Sequence, residues 1–443
     1  MEELCKNDII ETEITALGIN GEGVAKVDGK AVFIRGALVG EKVRAKIILV
    51  KPAFCVAIIE KILSQSPKRI APLCPVFNKC GGCDIQHLDY SATLELKRDT
   101  VYQTLKRVGG IEVEVNPTVA SEKIYRYRNK VSFPVRQSKF GVEIGLFAKN
   151  SHRLIPVVDC PLQYELAGKI VSKVKDFIQR NDLVGYNEEN FSGDIRHIVI
   201  RTVGTVTTVS IVATKKIKLD GLLSDLNALC PDISLYLNIN KKRNNVILGD
   251  EWQFVGGKTQ TVVSGLKVTV HPASFWQVND DIREKIYNHA CSLISGSYAI
   301  EAYSGAGLLS ARLAKSAKQV YGIEINPQAH QSAVTLCQDN GITNFTPICD
   351  DAGKALKPTV EKCKGETFIV VDPPRAGLDE NACSALINSG ANNIVYISCN
   401  PATLARDCKI LCDHYSIVSV TPYDMFPQTS NVETVVVLRK QNA

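Results

Sequence analysis

The chain has 443 residues, 45% hydrophobic and 22% charged, with a formal net charge of +6 and 15 cysteines. That length exceeds what one hydrophobic core serves and predicts several domains, and no apolar run is long enough to span a bilayer. The opening "MEELCKNDIIETE" is polar and acidic, unlike a secretory leader, so the expectation is a cytoplasmic protein whose cysteines are reduced thiols or metal ligands.

Residues 1–65 alternate as short strands, "ETEITALGI", "GVAKVDGKAVFIRGAL" and "KVRAKIILVKPAFCVAIIEKIL", separated by Gly-containing turns. Five such strands closing on themselves form an OB-like barrel, a common nucleic-acid platform. "SQSPKRIAP" follows as a linker.

The next stretch, "CPVFNKCGGCDIQH", places Cys74, Cys80 and Cys83 close together, with Gly81 and Gly82 letting the backbone turn around a metal. Cys160, in "VVDCPLQ", is the best fourth thiolate. Four thiolates suit tetrahedral zinc or an iron–sulfur cluster, and the spacing leaves both open.

Between Ser91 and Arg153 there are 12 Lys plus Arg against 6 Asp plus Glu, a local excess equal to the surplus of the whole chain. Within it, "YRYRNKVSFPVR" interleaves Tyr125, Arg126, Tyr127, Arg128, Lys130 and Phe133. Such interleaving suits RNA phosphates and unpaired bases, and it equally suits a strand with one solvated basic face. The rest of the segment 66–270 reads as an α+β domain, including the hairpin-like "HIVIRTVGTVTTVSIVAT".

From residue 271 to 443 the chain alternates strands and helices as a doubly wound α/β sheet, with strands "YAIEAY", "QVYGIE", "FTPIC", "TFIVVD", "IVYIS", "SIVSVTP" and "VETVVVL". Ligands of such sheets bind beyond the carboxyl ends of the strands. After the first strand, Gly305 and Gly307 allow a tight turn, but Ser310 replaces the third glycine of a dinucleotide fingerprint, which disfavours NAD. Glu324 ends the second strand where a carboxylate accepts hydrogen bonds from ribose hydroxyls, the layout of an S-adenosylmethionine site. Asp372, Pro373 and Pro374 form a rigid turn ending the fourth strand.

Cys399 ends the fifth strand, before a helix opening with Asn400 and Pro401. Two readings stand there: a core cysteine, or a nucleophile favoured as thiolate by the helix N-terminus. Uracil C5 is a poor nucleophile until a thiolate adds at C6, and the C5 proton must afterwards be removed by a base. Cys399 is the candidate thiolate, Glu433 the candidate base, and Asp372 with Gln277 hold donor or uracil in register.

At these residues the sequence resembles the RNA uracil-5-methyltransferases, specifically the 23S ribosomal RNA type. The resemblance implies an amino-terminal TRAM domain, a central RNA-binding domain carrying a [4Fe–4S] cluster on Cys74, Cys80, Cys83 and Cys160, and a Rossmann-like S-adenosylmethionine-dependent domain. It implies donor contacts from Gln277 in "FWQVN", Tyr303 in "EAYSGAG", Glu324, Asp372 and Asp350. "SCNPATLARD" supplies the nucleophile Cys399 and "VETVV" the base Glu433, while Asn431 stands where many members have His. The expected partner is 23S ribosomal RNA, bound by a monomer and away from membranes. The competing readings are a transfer-RNA uracil-5-methyltransferase, an amino-methyltransferase without a nucleophilic thiol, and a non-catalytic iron–sulfur RNA-binding protein.

Overall fold

Alternating buried and exposed positions along residues 9–64 fold back into one sheet: β1 (Ile9–Glu13), β2 (Ala16–Leu17), β3 (Gly23–Val27), β4 (Lys30–Arg35), β5 (Lys42–Val50) and β6 (Phe54–Ser64). The structure, a computed structural model, describes residues 4–294 and 296–441. In the order β1-β5-β6-β4-β3-β2, the two edges are consecutive in the chain. Between them Ile14 N–H donates to Glu41 C=O and Thr15 N–H to Val24 C=O, both at 2.9 Å, joining the edges into a barrel. Six strands stand where five were expected, because the two-residue β2 is too short to show a period.

The cysteine-bearing stretch is irregular and leads into α1 (Tyr90–Thr104), capped by Asp89, whose side chain accepts from Ser91 N–H. Val101, Leu105 and Val115 join the core of the carboxyl-terminal sheet, so this segment packs on that sheet. A second sheet follows from β7 (Lys130–Ser138), β8 (Gly141–Phe147), β9 (Leu154–Pro156), β10 (Ile195–Val203), β11 (Val206–Ala213), β12 (Ile233–Ile239) and β13 (Glu251–Gly257). Helices α2 (Glu165–Arg180) and α3 (Leu222–Asn227) bury their apolar faces against it. The expected hairpin around Gly204 is β10–β11, antiparallel throughout.

A small hairpin, β14 (Gln260–Val263) with β15 (Leu266–Thr269), and α4 (Asp280–Leu293) then pack on the last sheet. Its elements alternate: β16 (Tyr298–Ala302), α5 (Leu308–Leu313), β17 (Gln319–Glu324), α6 (Pro327–Asn340), β18 (Phe345–Cys349), α7 (Ala352–Val360), β19 (Thr367–Val371), α8 (Glu380–Ser389), β20 (Asn393–Ser398), α9 (Pro401–Leu411), β21 (Tyr415–Tyr423) and β22 (Glu433–Lys440). All seven expected strands are present. The order is β18-β17-β16-β19-β20-β22-β21, parallel except for β22, which runs antiparallel to both neighbours. Successive residues of β20 serve opposite faces: Ile394 and Tyr396 join one core, Val395 and Ile397 the other. Each such side chain contributes about 1.5–3 kcal/mol by burial, which explains a strand apolar on both sides. The order reverses between β16 and β19, so their carboxyl ends flank a crevice.

Candidate active site

Tyr303 leaves β16 with φ of 64°, and Gly305 and Gly307 follow at 54° and 78°. This left-handed backbone turns the chain sharply from strand to helix. A Cβ on Gly307 would stand 2.9 Å from Ala333 Cβ and from Phe345 Cε1, so only glycine fits there. Glu324 is fixed by its backbone neighbours: Gly305 N–H donates to Oε2 at 2.9 Å and Asn326 N–H to Oε1 at 2.7 Å. The exposed Asp350 lies alongside, its N–H donating to Glu324 C=O at 3.2 Å. Ser310, in the place of the third fingerprint glycine, is buried and donates to Glu301 Oε2 at 2.5 Å. Close packing of helix on strand comes from Gly322 of β17 instead, where a Cβ would lie 3.0 Å from Ser310 Oγ.

Asp372, at the end of β19, accepts from Gln277 Nε2 at 3.3 Å. Gln277 is itself held by Asn129, whose Nδ2 donates to its backbone oxygen at 2.9 Å. Burial pushes the Asp372 carboxyl up to about 7, against the Gln277 hydrogen bond. Ser398 of β20 pairs with Thr434 of β22, so the antiparallel register sets Cys399 beside Glu433. The Glu433 carboxyl is raised by burial and by the Asp372 charge, while the Arg375 guanidinium opposes both. A buried carboxyl facing a second, half-buried one is disfavoured as a charge.

The Cys399 thiol is also raised, first by burial and then by Glu433, with Arg375 favouring the thiolate. Burial thus outweighs whatever the helix N-terminus adds in favour of the thiolate. Asn400 Oδ1 already accepts Ala402 N–H at 3.1 Å, Asn400 N–H donates to Ser398 Oγ at 3.2 Å, and Pro401 has no N–H to offer. Arg375 Nη2 donates to Asn431 Oδ1 at 3.0 Å, so the residue in the family's His position is engaged by that guanidinium. Tyr303, Glu324, Asp350, Asp372 and Cys399 thus follow five adjacent parallel strands on one rim, and Glu433 joins them from the antiparallel strand. Sequence reasoning missed Glu301 and the placement of Arg375. A lone carboxylate inside the apolar run "YAIEAY" is the signal for the first.

Cys74, Cys80, Cys83 and Cys160 line one cavity of about 430 Å3. Gln86 ties two of them, Nε2 donating to Cys83 Sγ at 3.1 Å and Oε1 accepting Cys74 N–H at 3.1 Å. Gly81 lets this loop meet the β8–β9 turn, since a Cβ there would lie 2.8 Å from Lys149 Cα. Burial pushes the Cys83 thiol up to about 12, with the other three cysteines adding to the shift. Among the described residues no group of three or more His, Cys, Asp or Glu converges closely enough for one metal ion. Four soft donors around one cavity remain a chemically suitable set for a thiolate-bound metal group.

The interleaved basic stretch is largely structural. Arg126 Nη1 donates to Asp159 at 2.5 Å and to Cys160 C=O at 3.1 Å, and Tyr127 and Phe133 are buried. The Arg126 guanidinium thus ties this stretch to the Cys160 loop. Among the described residues, no helix is long and apolar enough to cross a membrane.

Residues 89–441 match the family model described as tRNA (Uracil-5-)-methyltransferase. The chain belongs to this family. Residues 3–59 match the TRAM domain. As a member of the uracil-5-methyltransferase family the protein is an S-adenosylmethionine-dependent RNA methyltransferase. It is 37% identical to an uncharacterized RNA methyltransferase of Halalkalibacterium halodurans, over 99% of this chain and 98% of that one. A similar relative in Clostridium tetani is 36% identical over 98% and 96%. Among solved structures, Pyrococcus abyssi tRNA (uracil-54, C5)-methyltransferase in complex with S-adenosyl-L-homocysteine superposes with a TM-score of 0.78 at 28% identity, covering 97% of this chain and 99% of that one.

Proposed function

We propose that the protein methylates C5 of a uridine in structured RNA through a covalent bond between Cys399 Sγ and uracil C6. The observation that carries this reading is the β20–β22 register, which sets a thiol and a buried carboxyl side by side at the mouth of the donor crevice. S-adenosylmethionine, when bound, supplies an electrophilic methyl group. Tyr303, Glu324 and Asp350 are the residues to hold its adenosine side, and Gln277 with Asp372 those near the reacting centre. The Cys399 thiolate adds to C6, C5 takes the methyl group, Glu433 removes the C5 proton, and the electron pair left behind expels the thiolate. Arg375 faces both Cys399 and Glu433 and favours the ionised form of each, offsetting burial at the steps that need charge.

The same reading assigns a [4Fe–4S] cluster to Cys74, Cys80, Cys83 and Cys160. Support comes from four thiols lining one cavity, a donor set of the kind that binds iron–sulfur clusters. When bound, the cluster supplies a cross-link among loops, because methyl transfer has no net redox step.

For the RNA, 23S ribosomal RNA is the first assignment, from the family resemblance of the motifs. Transfer RNA is the second, favoured by the likeness to the Pyrococcus abyssi enzyme over 97% of this chain. The test is incubation with S-adenosylmethionine and either 23S ribosomal RNA or transfer RNA transcribed with 5-fluorouridine, whose C5 fluorine the base does not remove. A denaturing gel and peptide map should show an adduct at Cys399 with one of the two RNAs. On unmodified RNA, Cys399→Ala should lose methyl transfer while retaining RNA binding, and Glu433→Gln should accumulate adduct. Near-normal methylation by Cys399→Ala would sink the covalent scheme.

A further inference from the structure

The loop 424–432 joins β21 to β22 and ends on Glu433. It is buried except for the half-buried Phe426, Ser430 and Asn431. Its tip, Pro427–Gln428, is held from two directions. The backbone N–H groups of Asp84 and Ile85 both donate to Gln428 C=O, at 3.1 and 3.3 Å. Asp84 directly follows Cys83. From the other side Tyr127, 2% exposed, donates its hydroxyl to Pro427 C=O at 3.0 Å. Its neighbour Arg126 grips the Cys160 loop through Asp159 and Cys160 C=O.

Gln428 sits at φ of 70°, a left-handed conformation that a side-chain-bearing residue keeps only when its surroundings enforce it. Beyond the tip, Asn431 meets Arg375 at the active site. Two cysteine-bearing loops therefore act, each through the next residue or its neighbour, on one point of the loop that delivers the carboxyl.

We propose that the cysteine centre is a brace for the base: Tyr127 and the Asp84–Ile85 backbone are positioning residues that align Glu433, so filling the centre governs release of methylated RNA more than its methylation. The inference rests on the reading of Glu433 as the base. A displaced carboxyl slows proton removal from C5 but leaves Cys399, the donor loop and methyl transfer in place.

The experiment is a single-turnover reaction of iron-loaded enzyme and its RNA, separating total methyl incorporation from the appearance of free methylated RNA on a denaturing gel. Tyr127→Phe keeps the ring and removes one hydrogen bond. It should leave incorporation within about twofold of wild type and slow release roughly tenfold, the scale of one such bond. Removing iron from the wild-type enzyme with a chelator should give the same selectivity. Equal slowing of both steps, or of neither, overturns the proposal.

Hydrogen exchange of residues 424–433 gives a readout independent of activity. It should rise in Tyr127→Phe and on iron removal, and unchanged protection there overturns the brace even if activity falls. Failure of wild-type enzyme to form any adduct with fluorinated RNA instead counts against the covalent reading, and hydrogen exchange still decides the brace.

Discussion

Glu301 lies in the centre of β16, 4% exposed, with Ser310 Oγ as its hydrogen-bond donor. Burial raises its carboxyl from 4.5 to about 8, the Ser310 hydrogen bond opposing and the Asp372 and Glu324 charges adding. A raised acid keeps its proton in the fold after the unfolded chain has lost it. Between these two values the folded state binds more protons, so this group's stabilisation is full below 4.5 and is lost as pH climbs toward 8. Glu301→Gln, which does not titrate, should flatten the pH dependence of the urea midpoint. Its gain relative to wild type should grow by a few kcal/mol, on the order expected for such a shift, from about pH 5 to about pH 8. A gain independent of pH would show that the carboxyl does not titrate as its burial dictates. At this scale Cys399, Glu433, Asp372 and Glu324 were legible because strand ends betray them. Glu301 left only the signal of a lone carboxylate in an apolar run, and Arg375 gains its significance from Cys399 and Glu433, at the ends of other strands.

The strand-to-helix turn after β16 joins sequence to cofactor site at the element scale. Gly307 combines a left-handed backbone with contact distances that exclude a methyl group. Gly307→Ala should cost about 1–3 kcal/mol in urea unfolding, the usual range for overpacking, and weaken S-adenosylhomocysteine binding measured by calorimetry. Normal binding with normal stability would mean the turn relaxes freely. The alternating strands and helices were readable because each β-branched run is bounded by turn residues. Less readable was the use of the basic–aromatic stretch, since the same alternation serves a solvated face, an RNA surface or internal ties. Asp159 and Pro427, from other parts of the chain, supply internal ties for Arg126 and Tyr127.

Across the whole molecule, α1 is fastened to the loop before Glu433 by an ion pair between Lys97 and Asp424, both 0% exposed. Lys97 also donates to Phe426 C=O at 3.0 Å. Breaking such a pair strands a buried charge, so Lys97→Met should destabilise by about 3–5 kcal/mol. Lys97→Met with Asp424→Leu should recover most of that loss, because an apolar pair of similar volume carries no desolvation cost. A double-mutant cycle in urea measures the coupling, and additive losses would show that the two charges act separately. This pair bridges residues far apart in sequence and belongs to the same network of ties that surrounds the loop before Glu433.

The doubly wound sheet, the amino-terminal barrel and the strand ends carrying Cys399, Asp372 and Glu324 were readable from local pattern, because hydrophobic period and turn residues are local properties. Long-range packing is what inserts β22 antiparallel beside β20 and sets Glu433 against Cys399. The same packing makes burial and Arg375 contend over both groups, and lets the cysteine loops grip the loop between β21 and β22. Those outcomes arise from contacts between segments tens to hundreds of residues apart, and the energies that set them come from burial and neighbouring charge.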